Sequence, residues 1–360
     1  MKFLIVTNHS YMLWQFRREL IEAMLQRGEV VIGTPLVGHE QDFNALGCRC
    51  VETKLERRGM NPLHELHLIE TYKRLLKDEK PDLVISYSIK PNLYMGLLCR
   101  CLCIPYAANV QGLGTAFQNP RMSAFISAFY RIALRGAKTV FFENEANASL
   151  FVERGILPAD KITCLPGAGV NLLRYPMCPY PSEEKGIRFL YLGRIMREKG
   201  MDELFTVIRR LKEEYGEKVQ FDLVGFFEDD YRQTVKELCR ENFICFHGFQ
   251  EDPRPFYAAA HCVVLPSWHE GMSNVLLEAA STGRALIASD IPGCREAITE
   301  GETGFLTEPR NSDSLYRALK AFLGLSEEER AALGLRGREK MEHEFDRVKV
   351  VEEALKALHI

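Results

Sequence analysis

The sequence predicts an α/β protein of two doubly wound domains, each a parallel sheet with helices on both faces. Three observations carry this. The chain has 360 residues, room for two domains of about 150–180 residues each. Short apolar runs alternate with amphipathic stretches from the first residues onward, the pattern of repeated βαβ units. That alternation runs twice, and the proline-rich stretch Tyr175-Pro-Met-Cys-Pro-Tyr-Pro-Ser182 stands between the two runs as the expected linker. The expected division is 1–175 and 176–340, followed by a last helix at about 340–358.

The elements follow in order. Residues 2–7 are an apolar strand, and 12–26 have helical spacing that stops near Gly28. Strand 29–34 comes next, then an amphipathic helix at 63–77 and a strand at 81–86. A helix at 92–100, a short strand at 106–110, a helix at 120–135, a strand at 139–143 and a helix at 146–154 complete the first run. The second run starts with strand 187–192, helix 201–215, strand 219–224 and helix 231–241. Runs 243–247, 262–265 and 285–288 are further strands, apolar but for His247, as expected of buried strands. Ligand is expected at the carboxyl ends of the strands, in the cleft between the domains.

Composition narrows the class. Apolar residues make up 46% of the chain, enough for a full core in each half. The net charge of −3 is split unevenly. Residues 1–175 carry 21 Lys+Arg and 16 Asp+Glu, or +5; the rest carry 25 and 33, or −8. A basic half suits an anionic partner such as a phospholipid surface or a lipid-linked diphosphate, or is ordinary surface variation. The eleven cysteines contain no C-x-x-C and read as buried thiols in a reducing compartment. No Cys/His set has ligand spacing, so no metal site is expected. The N-terminus, Met1-Lys-Phe-Leu-Ile-Val-Thr7, is too short for a signal sequence. No uncharged apolar stretch is long enough to span a bilayer; 93–108 comes nearest and Arg100 breaks it.

The stretch Ser267-Trp-His-Glu-Gly-Met-Ser-Asn-Val-Leu-Leu-Glu278 holds the clearest chemistry. Glu278 lies in the apolar run 275–280, where a carboxylate is costly to bury without hydrogen-bond donors. Glu270 precedes a helix start, where free N–H groups attract anions. Positions 270, 274 and 278 are four apart, the spacing of one helix side. Carboxylates for sugar and ribose hydroxyls, beside N–H groups for phosphate, suit a nucleotide sugar. In Gly193-Arg-Ile-Met-Arg-Glu-Lys-Gly200, a strand–loop–helix turn carries Arg194 and Lys199 five apart. These two can neutralise a diphosphate without metal, or pair with Glu198 or Glu203 in the loop, or form a buried ion pair with Glu270 or Glu278. Glu228-Asp-Asp230 is no Asp-x-Asp and reads as a solvated turn before a helix.

These motifs resemble the retaining GT-B glycosyltransferases. The likeness continues in Pro166-Gly-Ala-Gly-Val170, Ser289-Asp-Ile-Pro-Gly293 and Glu302-Thr-Gly-Phe-Leu306, in the family's order. The resemblance implies that Arg194 and Lys199 bind the donor diphosphate and stabilise the departing charge. It implies that Glu270 meets the transferred sugar and Glu278 the ribose, with Gly193, Gly271, Met272, Ser273 and Asn274 adding contacts to sugar or phosphate. It implies that Phe249 and Gln250 flank the nucleobase, that catalysis needs neither metal nor cofactor, and that the final helix packs back on the first domain. Trp268 and His269 line the sugar pocket or pack as core aromatics.

The first half resembles a narrower branch, the transferases of capsule, O-antigen and lipid-linked oligosaccharides. The residues concerned are Arg58-Gly-Met-Asn-Pro62, Tyr87-Ser-Ile-Lys-Pro-Asn92, Asn109-Val-Gln-Gly-Leu-Gly114 and Glu143-Asn144-Glu145. Two features depart from many relatives. The loop after the first strand, Asn8-His-Ser-Tyr-Met12, lacks a Gly-Gly pair, and Gln111 stands where many carry a histidine. His9, Gln111, Gly112 and Gly114 are the acceptor-side candidates. Arg121, Arg131 and Arg135 on the 120–135 helix, with Arg17, Arg18, Arg57 and Arg58, form a candidate membrane-facing patch, unless that helix simply packs on its own sheet.

The implied function is retaining transfer from a nucleotide sugar, such as UDP-GalNAc, UDP-GlcNAc or UDP-Gal, to an undecaprenyl-diphosphate-linked glycan. The implied setting is the inner face of the cell membrane, in peripheral contact with anionic lipid and with no nucleic-acid partner. The proline-rich stretch serves as the hinge on which the domains close. The alternatives are a nucleotide-sugar epimerase of the same plan, or a sugar-nucleotide-binding module without turnover. A Rossmann dehydrogenase is disfavoured because no G-x-G-x-x-G follows the first strand.

Overall fold

The computed structural model describes residues 1–53, 62–113, 117 and 120–360. The chain forms two compact units, one of Met1–Ala168 with Val348–Ile360 and one of Gly169–Arg347. The first holds strands β1 (Lys2–Val6), β2 (Glu29–Thr34), β3 (Arg49–Glu52), β4 (Leu83–Tyr87), β5 (Tyr106–Val110), β6 (Thr139–Phe142) and β7 (Ile162–Cys164). Its helices are α1 (Ser10–Leu25), α2 (Glu40–Leu46), α3 (Pro62–Glu79), α4 (Ile89–Leu102), α5 (Pro120–Ala133) and α6 (Glu145–Glu153). The second holds β8 (Ile187–Leu192), β9 (Val219–Val224), β10 (Cys245–Phe246), β11 (Cys262–Leu265), β12 (Ala285–Ser289) and β13 (Gly304–Thr307). Its helices are α7 (Met201–Tyr215), α8 (Arg232–Arg240), α9 (Arg254–Ala259), α10 (Asn274–Ser281), α11 (Ser312–Leu323) and α12 (Glu327–Glu344). The last helix, α13 (Arg347–Leu358), follows.

Both sheets are parallel and share one winding. The first runs β3-β2-β1-β4-β5-β6-β7 and the second β10-β9-β8-β11-β12-β13. Each therefore reverses beside its first strand, between β1 and β4 and between β8 and β11. Such reversals are where open α/β sheets bind ligands. All five residues of β4, β5 and β12 are buried. Burial on both faces is why these strands read as near-continuous apolar runs, each with one buried polar residue (Ser86, Asn109 and Ser289), rather than alternating ones.

Three expectations are corrected. The helix expected over 340–358 is two helices. Phe345 O accepts from Val170 N at 2.7 Å and Arg347 N donates to Val170 O at 3.1 Å, so a bridge to Val170 takes the backbone groups a continuous helix would need. The proline-rich stretch lies inside the second unit and is strapped to it. Arg284, wholly buried, donates to the carbonyls of Cys178 (3.2 Å) and Pro179 (2.8 Å), and Ser281 Oγ donates to Tyr175 O at 2.6 Å. The chain passes between units at 168/169 and 347/348 instead. Finally, the strand expected at 243–247 is only Cys245–Phe246, an edge strand.

After its break from α12, α13 places Val350, Ala354, Leu355 and Leu358 in one core with Phe3, Ile5, Leu13 and Ile85. Their spacing is one helical face. All eleven cysteines are free, but Cys101, Cys103 and Cys245 are exposed, not buried. Burial pushes the thiols of Cys48 and Cys99 up to about 12. Among the described residues no helix is long and apolar enough to cross a membrane.

Candidate active site

Two loops leave the reversal point of the second sheet, 193–200 after β8 and 266–273 after β11. They are closed against each other by backbone. Trp268 N donates to Glu198 O at 2.9 Å. Gly200 holds φ +73°, and a Cβ there would stand 2.1 Å from Pro266 O, so only glycine allows the approach. That contact sets Lys199 Nζ on Glu270 Oε1 as an ion pair, with both side chains about 15% exposed (16% and 14%). Ser267 Oγ donates to the same oxygen at 2.8 Å. Arg194 Nη1 lies 2.5 Å from Glu228 Oε2, and the buried Tyr191 hydroxyl donates to Arg194 O at 2.6 Å. Gly193 and Gly225 touch: a Cβ on Gly225 would meet Gly193 O at 1.8 Å.

The two cations therefore pair with Glu228 and Glu270, not with Glu198 or Glu203. Glu228-Asp-Asp230 is correspondingly more than a solvated turn. Asp229 Oδ2 also accepts from Arg197 N at 2.8 Å. The arginine is 39% exposed and the lysine largely buried, and each faces an acceptor that a phosphate oxygen can replace.

Helix α10 begins at Asn274, so Glu270 lies ahead of the helix rather than on a face shared with Glu278. Ser273 is the N-cap, its Oγ accepting from Leu276 N at 3.4 Å. Its own N–H is committed to Gly293 O at 2.8 Å, which removes it from the expected free donors. Gly293 must be glycine, since a Cβ would meet Gly271 O at 2.3 Å. Met272 is buried in the second unit's core. Asn274 Oδ1 is buried without a hydrogen-bond partner among the described residues, an acceptor awaiting a donor.

Glu278 is 7% exposed and accepts from Tyr257 Oη at 2.9 Å and from Tyr175. Burial pushes its carboxyl above the ordinary range, against the pull of both phenols and of Arg347 and Arg174. Neither tyrosine stood out in the sequence. Tyr175 opens the proline-rich stretch and Tyr257 sits on α9, a six-residue helix with no strong periodic signal.

Phe249 is 53% exposed and packs edge-on to Phe226, 48% exposed, at 6.1 Å. Gln250 Nε2 donates to His247 O at 2.7 Å. Phe226, just past β9, was missed because one phenylalanine after a strand carries no pattern. Trp268 lies under two guanidinium groups, Arg310 at 4.3 Å and Arg197 at 5.5 Å. His269 Nε2 is 3.3 Å from the Glu198 carboxylate.

The first unit has a polar cavity of about 270 Å³ at the carboxyl ends of β4 and β5. Asn8, Ser88, Lys90, Asn92, Gln111 and Gly112 line it. Asn8 lines this cavity; His9, the expected candidate, is the N-cap residue of α1. Gly114 lies outside the described residues. Lys90 Nζ donates to Glu65 Oε1 at 2.6 Å. Of the expected patch, Arg57 and Arg58 also lie outside the described residues, as does the side chain of Arg121. Arg17 leaves the patch: it is buried, with Nη2 on Glu143 Oε1 at 2.8 Å and Nη1 on Gly167 O at 3.2 Å. Arg18 pairs with Glu22. Arg131 and Arg135 are exposed on the α5 side.

Comparison with known proteins gives the class. Residues 3–144 match the glycosyl transferase 4-like family, and residues 186–324 match the family of glycosyl transferases group 1. The chain is 26% identical over 341 residues to the N,N'-diacetylbacillosaminyl-diphospho-undecaprenol alpha-1,3-N-acetylgalactosaminyltransferase of Campylobacter jejuni, covering 90% of this chain and 89% of that one. It is 23% identical over 228 residues to the capsular polysaccharide biosynthesis glycosyltransferase CapM of Staphylococcus aureus, covering 60% of each. The structure of Anabaena HepE in complex with UDP superposes with a TM-score of 0.80 at 18% identity over the whole of both chains. The protein thus belongs to the glycosyltransferases of the GT-B fold. It joins a glycosyl transferase 4-like first domain to a glycosyl transferases group 1 second domain.

Proposed function

We propose that the protein transfers a hexose or N-acetylhexosamine from a UDP-sugar to a hydroxyl of an undecaprenyl-diphosphate-linked glycan, with retention of anomeric configuration. The observation that carries this reading is the convergence of Lys199, Glu270, Arg194 and the start of α10 at the β8/β11 reversal. The Campylobacter relative, whose name states such an acceptor, supports the acceptor class over nearly the whole chain. The work is done at the cytoplasmic face of the membrane, with the enzyme peripheral to it.

In this reading the donor diphosphate takes the place of Glu228 on Arg194 and of Glu270 on Lys199. Each charge-assisted bond contributes roughly 1.5–3 kcal/mol. The bond from the sugar's anomeric carbon to the diphosphate oxygen breaks, and the acceptor oxygen bonds to that carbon from the same face. The acceptor's proton passes to the departing phosphate oxygen. Arg194 and Lys199 offset the charge developing there, so catalysis is chiefly electrostatic and positional. Glu270, released from Lys199, accepts from sugar hydroxyls, and Glu278 accepts from the ribose. Phe226 and Phe249 flank the base, with Gln250 beside them. Asn8, Gln111 and Gly112 line the acceptor side. Two side-chain cations supply the charge that a metal supplies in other transferases.

The test is transfer from a panel of UDP-sugars to a diphosphate-linked acceptor with EDTA present. Turnover with one or a few UDP-sugars, an α-linked product by NMR, and loss on the order of a hundredfold in Arg194→Ala and Lys199→Ala are expected. Full activity in both variants would overturn the diphosphate assignment. Turnover only with GDP-sugars, or only after metal is restored, would overturn the donor or the metal-free chemistry.

A further inference from the structure

Strand β10 is the shortest of the second sheet, two residues long and at its edge. It pairs in parallel with β9, Cys245 level with Asp222 and Phe246 with Leu223. His247 N extends the ladder by donating to Leu223 O at 2.9 Å. Side chains two apart on a strand share a face. Cys245 and His247 therefore point to one side of β10, and Asp222, level with Cys245, points to the same side of β9. One ligand atom from each of the three lies within 4.8 Å of the others. His247 Nε2 is 2.6 Å from Asp222 Oδ1. Asp222 is buried, His247 half-buried and Cys245 exposed, so the group opens to solvent on one side.

Neighbouring groups hold two of these side chains in place. Arg188 on β8 donates from Nη1 to Asp222 Oδ2 at 3.0 Å and from Nη2 to Gln220 Oε1 at 2.8 Å. The guanidinium thus occupies one carboxylate oxygen and leaves Oδ1 to His247. A ligating carboxylate that is hydrogen-bonded from behind is the usual arrangement in metal sites. The Arg188 side chain is 36% exposed, so water screens its charge from a cation on the other oxygen. The His247 ring packs edge-on to Phe256, with centroids 4.8 Å apart.

We propose that Asp222, Cys245 and His247 bind a divalent ion of the zinc class, with water in the fourth position. Thiolate, imidazole and carboxylate are zinc's own ligand types, and a thiolate disfavours magnesium and calcium. Thiolate and carboxylate together match the ion's two charges, and the thiol proton leaves to solvent on binding. Bonds of about 2.0–2.3 Å in a tetrahedron set ligand atoms roughly 3.3–3.6 Å apart. The present spacing, from 2.6 Å to under 4.8 Å, brackets that value, so small side-chain shifts suffice. Spacing along the chain predicted no metal site, because Cys245-x-His247 supplies only two ligands and strand register brings the third. The ion staples to its sheet an edge strand that few ladder bonds hold. It lies at the root of the loop carrying Phe249 and Gln250, where Gln250 Nε2 donates to His247 O, and its ligands are separate from the groups assigned to the donor. The site stands whether or not the transferase reading does.

The full chain, stripped with a chelator, is titrated with Zn²⁺ against a chelating indicator dye, and separately with Co²⁺. One Zn²⁺ per chain, a thiolate-to-cobalt charge-transfer band and a melting temperature raised by Zn²⁺ are expected. Cys245→Ser should lose the band and bind Zn²⁺ at least about 100-fold more weakly, beyond what an outer-shell change costs. His247→Gln should weaken binding as much but keep the band at high Co²⁺. Cys245 is exposed and His247 half-buried, so neither substitution opens the core, and melting temperatures without metal verify that both variants fold. The double variant Cys101→Ser/Cys103→Ser removes the other exposed thiols and should bind like wild type. No bound Zn²⁺, a cobalt complex without the band, undiminished binding in Cys245→Ser, or loss of binding in the Cys101→Ser/Cys103→Ser variant instead would each overturn the site.

Discussion

Glu278 shows how the site depends on residues that carry no motif. Its carboxyl is held above the ordinary range by burial, while Tyr257 and Tyr175 stabilise the ionised form. A raised carboxyl favours the protonated form in the folded protein. Its contribution to stability is therefore full below the unfolded value and is lost as pH rises through the folded one. Nucleotide binding moves the other way, because a ribose hydroxyl needs an ionised acceptor. UDP affinity should fall with falling pH at a midpoint above the ordinary carboxylate range. Tyr257→Phe removes one donor, so it should raise that midpoint further and cost about 1–3 kcal/mol of stability. Calorimetric UDP titrations across pH, in wild type and variant, would show it; identical midpoints would sink the idea. The sequence marked Glu278 as a buried carboxylate in need of donors but could not say which. Its donors come from distant positions, at 175 and 257, that only the fold brings near.

Single elements were read well where a strand is buried on both faces and poorly where geometry hangs on one joint. The two glycine-marked loops after β8 and β11 were legible as loops between a strand and a helix, and the structure brings them together through the close approach of Gly200 to Pro266. The start of α10 after Glu270 was legible, but the shared side for 270, 274 and 278 was not, because four-residue spacing runs equally through a helix and the loop ahead of it. Helix α4 begins three residues before its expected start; Pro91 sits in its first turn, where the missing N–H costs nothing. Gly200→Ala would force a Cβ onto Pro266 O in a backbone conformation that favours glycine. It should part the two loops, and transfer should fall at least as far as in Lys199→Ala, with a lower melting temperature. Wild-type turnover in that variant would mean that the loop contact does not position Lys199. Helix α12 offers a second case. Arg330 holds Glu183 through Nε (2.8 Å) and Nη2 (2.5 Å). Burial alone would raise the Glu183 carboxyl, but the guanidinium prevails and holds it below the ordinary carboxylate range. A depressed carboxyl stabilises above its unfolded value and ceases to do so as pH falls through the folded one. Arg330→Ala should cost about 2–3 kcal/mol at neutral pH, read from urea unfolding, with the difference from wild type shrinking in acid.

For the molecule as a whole, the twofold repetition of strand and helix was plain from the sequence, since each domain obeys one simple rule of burial. The path between the domains was not. Prolines suggest a linker wherever they cluster, but here Arg284 and Arg338 bind the proline-rich stretch to the second unit. The first unit is completed by α13, whose apolar face lies against β1, α1 and β4 and whose last carbonyl, at Leu358, accepts from Lys138 at 2.9 Å. Ending the chain at Arg347 should therefore leave the second unit soluble and the first aggregated or molten, as limited proteolysis would report; a first unit that stays protected would refute this. The same topology sets a schedule for synthesis. About 180 residues separate the two crossings at 168/169 and 347/348, so at ribosomal speeds of 5–20 residues per second the first domain waits roughly 10–40 s for its closing helix. Until then its apolar floor is uncovered, and a cell making this enzyme has every reason to keep a chaperone at the tunnel exit.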